Sequence, residues 1–423
     1  MRADSRAFRI ALLASAAVAV ASCGGGGGSA SSGGPPPAPN VAEMVVDGGP
    51  IVNGAHAGFF NQGYVTVTVC VPSTSTCQSI DHVWVDTGSS GLRLLASAVT
   101  LSLPPSTQNS NPVANCVQFV STAVLWGAVR TADVKISGES ASSVPIQVIG
   151  DSSVPTTPAS TCGTATANQN TVQSLGANGL LGVGVFQEDC GIACQTSTPA
   201  PGGFYYTCPG GTCAPVNMAT TLQLQNVAGM FPTDNNGVLI QLPSLPASGM
   251  ASATGSLIFG INTQTNNQLG SAMVFAVDPG FTNPGDIQTR TTYGDMSEPA
   301  SFVDSGSNGW FFNDSALTPC PSMVGSGFYC TAASLSATML PYNTPTNTTS
   351  FTYNFSIADL STLGSTNAAF NNVGGPTASC STTPATCSFD WGLPFFYGRS
   401  VFTAIENKVI GSNTGPFIAA STP

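Results

Sequence analysis

The chain has 423 residues, of which only 7% are charged, with 20 acidic against 9 basic side chains and a formal net charge of −11 at pH 7. So few cations leave no surface able to neutralise a run of phosphates, which argues against nucleic acid as a partner. The length is ample for a large core or a pair of lobes, and 13 cysteines beside 47 glycines and 31 prolines point to an exported, turn-rich β protein.

Residues 1–22 read as a secretory signal. Arg2, Arg6 and Arg9 precede an apolar run from Ile10 to Ala21 that is too short to span a bilayer. Val20-Ala21-Ser22-Cys23 resembles a bacterial lipobox, which implies that Cys23 is lipidated, becomes the first mature residue and holds the chain to a lipid bilayer. An ordinary signal peptide cut nearby is the alternative. Residues 23–40 read as a flexible tether, since Gly24 to Pro39 are only Gly, Ser, Ala and Pro. Gly24 in place of an Asp after the lipidated Cys points to the outer membrane of a Gram-negative cell envelope, facing periplasm or exterior. Removing Arg2, Asp4, Arg6 and Arg9 takes the charge balance from −11 to −13.

Beyond the tether, Tyr64 to Val69 and Ala132 to Ser137 alternate apolar and polar residues with a period of two, the pattern of half-buried strands. Further strands are expected at Val144 to Ile149, Gly237 to Leu242, Gly255 to Ile261 and Met273 to Val277. Pro145 marks the first of these as an edge strand, because proline cannot donate to a ladder. Met218 to Gln225 is the best of few helix candidates.

The cysteines fall mostly as sequence neighbours: Cys70/Cys77, Cys190/Cys194, Cys208/Cys213, Cys320/Cys330 and Cys380/Cys387, with Cys116 and Cys162 left over. An even number after Cys23 implies disulfides, six in all, mostly local. Spacing leaves the pairing among Cys190, Cys194, Cys208 and Cys213 open. No metal is expected, since His56 and His82 are the only histidines and neither lies at zinc-ligand spacing from a Cys pair. No cofactor is expected either.

One internal repeat carries more information than any strand. Trp84-Val85-Asp86-Thr87-Gly88-Ser89-Ser90-Gly91-Leu92 is echoed by Phe302-Val303-Asp304-Ser305-Gly306-Ser307-Asn308-Gly309-Trp310, 218 residues later. A short repeat at half-chain distance implies two lobes of similar fold, 41–250 and 251–423, each giving one copy to a shared site. Taken alone, each Asp-Thr/Ser-Gly is a common turn, in which Asp accepts from backbone N–H groups.

Through these paired loops the chain resembles the pepsin-like aspartic peptidases, from about Tyr64 to Ile410. In that family each lobe carries a hydrophobic-Asp-Thr/Ser-Gly-Thr/Ser loop, followed by an apolar-apolar-Gly segment that threads beside it. Leu180-Leu181-Gly182 and Trp391-Gly392 are the matching segments, 96 and 88 residues after their Asp. Gly255 to Gly260 is similar to the segment that opens the second lobe, and Val401 to Ile410 to the last strands. The resemblance implies a bilobal all-β fold with a cleft between pseudo-twofold-related lobes, and an endopeptidase acting on an extended peptide or unfolded protein. It makes Asp86 and Asp304 the catalytic carboxylates. Thr87 and Ser305 would cross-link the loops, Ser89 and Ser307 would bond the outer carboxylate oxygens, and Gly88 and Gly306 would admit backbone N–H groups. The chemistry fits: two carboxyl groups within hydrogen-bond reach share one proton, so one activates water while the other polarises the scissile carbonyl.

Departures from the pattern shape the alternatives. The hairpin region Cys116 to Val129 has no Tyr to cover the cleft; Trp126 either substitutes as the flap ring or packs on its own lobe. Arg93 stands where the family more often has a Trp, and either charges the dyad's surroundings or points to solvent. Asp390 precedes Trp391 where an apolar residue is usual. No Lys or Arg occurs from Val41 to Leu92, so a zymogen-type basic prosegment is not supported. A pepsin-fold lipoprotein without catalysis, binding a polymer or protein partner, is therefore the alternative function. A β-rich adhesin would leave the repeat as coincidence.

Overall fold

The computed structural model describes residues 38–119, 121–163, 165–196, 204–280, 284–291, 297–342, 349–377 and 388–421. The signal, Cys23, residues 23–37 of the tether, Cys380 and Cys387 lie outside the described residues. The fold is a bilobal, all-β, pepsin-like one. Among the described residues the α-helices are single turns, Val172–Leu175, Ile192–Thr196 and Ser322–Gly325.

A 16-stranded sheet crosses the molecule, and a 7-stranded sheet belongs to the second half. The halves are stitched by their own backbones. Val41–Val46 pairs along its length with Ala253–Phe259 and, at Val45 to Tyr64, with Gly63–Cys70. Gly237–Gln241 flanks Ala253–Phe259 on the other side and leads to Ser400–Ala404, Phe417–Ala420 and Met273–Ala276. A division at residue 250 thus falls between two strands that pair with each other. The alternating stretches behave as their period dictates: Val65, Val67 and Val69 are buried while Thr66 is exposed, and Ala132, Val134 and Ile136 are buried while Lys135 is exposed. Their apolar faces join one core that runs from Val46 and Val85 to Val303, Trp310 and Trp391.

The repeat is realised as two equivalent crossings. Gly179–Val183 runs parallel to Cys77–Asp86, with Gly182 beside Asp86, and antiparallel to Ser90–Leu95. In the second half, Asp390–Trp391 runs parallel to Phe302 and Val303 and antiparallel to Trp310–Phe311. Only glycine fits where each inserted segment passes its loop: a Cβ on Gly182 would lie 2.7 Å from the Ser90 backbone, and one on Gly392 would lie 2.7 Å from the Ser307 carbonyl.

Two expected elements differ. Glu139–Ile149 is not an edge strand: Gln147 to Ile149 also pair with Ser90–Leu95. Pro145 is tolerated because it lies before that second pairing begins, where its only ladder partner is Thr131. Met218 to Gln225 is not a helix but contains one 3-10 turn, Thr220–Leu222. The Gln223 amide bonds the Met218 and Gly191 carbonyls at 2.9 Å each, holding the segment as a loop.

The open pairing resolves to Cys190–Cys194 and Cys208–Cys213, and the leftover cysteines pair as Cys116–Cys162 across 46 residues. Cys70–Cys77 and Cys320–Cys330 are joined as expected.

Candidate active site

Each Asp sits in a turn at the end of a buried strand, so its carboxyl group is delivered to the seam without a long, mobile side chain. Asp86 and Asp304 are both fully buried. Their local grips are near copies. Gly88 N–H donates to Asp86 Oδ1 at 2.7 Å, and the Ser89 hydroxyl donates to Oδ2 at 2.5 Å. Gly306 N–H donates to Asp304 Oδ1 at 2.7 Å, and the Ser307 hydroxyl donates to Oδ2 at 3.0 Å.

The two carboxyl groups meet. A Cβ placed on Gly306 would stand 2.6 Å from Asp86 Oδ1 and 3.0 Å from Asp304 Oδ1, so both inner oxygens crowd one point that only glycine leaves open. Burial holds Asp304 well above the usual carboxylate range, reinforced by the negative charges of Asp86 and Asp390 and by a side-chain hydrogen bond to Asp86, against the Gly306 N–H.

The loops are also tied to each other, reciprocally. Thr87 N–H donates to Ser305 Oγ at 3.1 Å, while Ser305 N–H donates to Thr87 Oγ1 at 2.9 Å. The Thr87 hydroxyl then reaches the Val303 carbonyl at 3.2 Å, and the Ser305 hydroxyl the Val85 carbonyl at 2.9 Å. Four hydrogen bonds in a buried seam fix the separation of the two loops, and with it that of the carboxyl groups.

Of the two readings open for Trp126, packing on its own lobe is realised and the flap is corrected; both readings of Arg93 are corrected. Trp126 does not cover the pair: it is fully buried, packed edge-on against Tyr206 at 5.1 Å, and its indole N–H donates to the Pro155 carbonyl at 2.6 Å. Facing into its lobe and already hydrogen-bonded, it cannot act as a flap. Arg93 neither faces solvent nor pairs with the dyad; it is fully buried and joined to Asp189 at 3.1 Å. A lone buried guanidinium would be prohibitively costly, so the partner decides its place. Sequence reasoning missed Asp189 and also Asn61, whose amide donates to the Asn308 and Phe370 carbonyls at 2.9 and 2.8 Å, clamping the second loop to the first half. Neither carried a clear local signal: Asn61 opens the polar pair Asn61-Gln62, and Asp189 ends the polar run Gln187-Glu188-Asp189, both of which read as ordinary turn segments.

A cavity of about 940 Å³ is lined by Thr87, Gly88 and Ser89 together with Phe302 and Val303, while neither Asp86 nor Asp304 lines it. Residues 36–420 match the family described as "Protein of unknown function (DUF3443)". The chain belongs to this family. No curated protein matches it in sequence. Among solved structures, this DUF3443 chain is similar to the aspartic proteinase from Irpex lacteus at 15% identity, covering 90% of this chain and 96% of that one with a TM-score of 0.50. At that identity the likeness speaks for the fold alone.

Proposed function

We propose that this chain is an aspartic endopeptidase in which Asp86 and Asp304 share one proton and activate a water molecule. The observation that carries this reading is the convergence of both inner carboxylate oxygens on Gly306. Asp304, with two negative neighbours, begins as the protonated member, although the proton belongs to the pair. Asp86 then takes a proton from water as its oxygen attacks the scissile carbonyl carbon, while the Asp304 proton passes to the carbonyl oxygen. The resulting diol returns a proton through the dyad to the amide nitrogen, and the C–N bond breaks to an acid and an amine. Ser89 and Ser307 keep the carboxyl planes aligned, and the Thr87–Ser305 ties keep the pair from separating under mutual repulsion.

The substrate in this reading is an extended segment of unfolded protein or peptide, laid between lobes 41–250 and 251–423. The N-terminal pattern supports export and anchoring through Cys23 in the cell envelope; a Cys23→Ser chain released to the soluble fraction is the expected result, and continued membrane retention would contradict it.

Two observations favour a second reading, a pepsin-fold binding protein without catalysis: both carboxylates are fully covered and Trp126 supplies no flap. The discriminating experiment incubates the purified chain with a reduced, unfolded protein between pH 3 and 7 and follows peptides by mass spectrometry. Cleavage that is blocked by a statine peptide and absent in Asp86→Asn supports the peptidase. No cleavage at any pH, or equal cleavage by the variant, removes it.

A further inference from the structure

The two dyad loops are backed by different chemistry. Seven residues beyond Asp304 stands Phe311, packed against Phe328 at 5.8 Å in a wholly apolar cluster with Phe60 and Phe370. Seven residues beyond Asp86 the same place holds Arg93, in a buried polar network. Arg93 Nη1 donates to the Ser90 carbonyl at 2.7 Å, and Nη2 to Asp189 Oδ2 at 3.1 Å. Asp189 is itself fixed: Asn115 donates to Oδ2 at 3.0 Å, and the Tyr205 hydroxyl donates to Oδ1 at 2.6 Å. Tyr205 in turn accepts the Leu224 N–H at 2.7 Å.

A buried ion pair is a poor device for stability, since well-packed apolar residues of similar volume do as well or better. The Phe311 cluster shows that this fold accepts the apolar solution at the equivalent place. What an apolar side chain cannot do is hold a carbonyl oxygen. The guanidinium fork can bridge a carbonyl and a carboxylate at fixed spacing. The carbonyl it holds follows Ser89, whose hydroxyl grips the outer oxygen of Asp86 and whose own carbonyl accepts the Gly184 N–H at 2.8 Å. Asp189 lies on the continuation of that same inserted segment, so the pair closes a clamp around the turn that carries Ser89.

We propose that Arg93 and Asp189 are positioning residues that hold the Ser89–Gly91 turn, and through Ser89 the outer oxygen of Asp86, in the reactive orientation. This rests on the peptidase reading. Among the described residues the Asp304 loop has no ionic clamp: the carbonyl equivalent to that of Ser90, on Asn308, is held by the neutral Asn61 amide at 2.9 Å, so the two turns are held by unlike donors, one a guanidinium fork tied to Asp189 and the other an amide from the first half.

The test compares wild type, Arg93→Lys and the double variant Arg93→Met with Asp189→Leu, using a fluorogenic peptide with apolar residues beside the cut and a melting curve for each chain. The double variant is expected to fold, with kcat about 10- to 100-fold lower and KM within about twofold, as displacement of a reacting group by a fraction of an ångström to an ångström requires. Arg93→Lys keeps the charge without the fork and is expected to lose kcat about tenfold at unchanged melting temperature. A folded double variant with kcat within twofold of wild type overturns the proposal; if that variant does not fold, Arg93→Lys with undiminished kcat does so alone. A second readout is independent of turnover: the Asp86 carboxyl ¹³C resonance, assigned with Asp86→Asn, should move in the variants by more than that of Asp304, which feels the change only through the shared proton. A wild-type chain that cleaves nothing yet shows this shift fails the peptidase reading and keeps the clamp. An unmoved Asp86 resonance ends it.

Discussion

Replacing Thr87 by Val keeps the side-chain shape and deletes one hydroxyl from the seam between the dyad loops. That hydroxyl donates to the Val303 carbonyl at 3.2 Å and accepts the Ser305 N–H at 2.9 Å. Thr87 is 5% exposed and Ser305 0%, so neither stranded group gains water in exchange. A buried donor or acceptor left without a partner costs roughly 1–3 kcal/mol, and a carbonyl with a second lone pair sits at the low end, giving about 2–4 kcal/mol for the pair. Ser305→Ala removes the other two ties, to Thr87 N–H and to the Val85 carbonyl, and should cost a similar amount. The four bonds are distinct, yet they hold the same two loops. Once half are gone the loops relax and the remainder are worth less, so the double variant should fall short of the sum by at least about 0.5 kcal/mol. Urea unfolding of the four chains, followed by tryptophan fluorescence, measures this cycle. Single variants within 0.5 kcal/mol of wild type, or strict additivity, would refute a cooperative, water-free seam.

Asp304 has its proton affinity raised in the folded chain, first by burial and then by Asp86 and Asp390. Its stabilising contribution is therefore full below the ordinary Asp value of about 3.9 and is lost as pH rises through the raised value. Asp304→Asn removes that slope and should melt about 2–5 °C above wild type at pH 7 while abolishing cleavage; a lower melting temperature at pH 7 would contradict the charge assignment. Gly306→Ala places a methyl 2.6 Å from Asp86 Oδ1 and should cut kcat about 100-fold in a chain that still folds, measured on the same fluorogenic peptide. Replacing Cys116 and Cys162 by Ala opens a loop of 46 residues and should cost about 4 kcal/mol, against about 2 kcal/mol for Cys190 and Cys194, whose separation is 4; equal losses in urea unfolding would show that loop closure is not what these bridges supply.

What was legible in the sequence is what local chemistry dictates. The period-two stretches announced their strands, and the repeated Asp loops announced both the lobes and the residues that converge, since a turn that buries a carboxylate needs the same small and hydroxyl-bearing neighbours each time. Cys70–Cys77 and Cys320–Cys330 followed from the same local logic, whereas spacing left Cys190–Cys194 and Cys208–Cys213 undecided. Cys116–Cys162 was reached only by elimination, because nothing near either residue points to a partner so distant. Pro145 misled because a strand can be an edge at one end and central at the other. Arg93 misled for a deeper reason: a buried charge is intelligible only with its counter-charge, and Asp189 lies 96 residues away. Trp126 was placed by Tyr206 and Pro155, contacts between segments that no local pattern relates.

Neutron diffraction from deuterium-exchanged crystals at weakly acidic pH looks directly at the proton on which the account depends. A single deuteron on the inner oxygens of Asp86 and Asp304, with those oxygens in hydrogen-bond contact, is the predicted density. Two bare carboxylates, or oxygens too far apart to share a hydrogen, would contradict it.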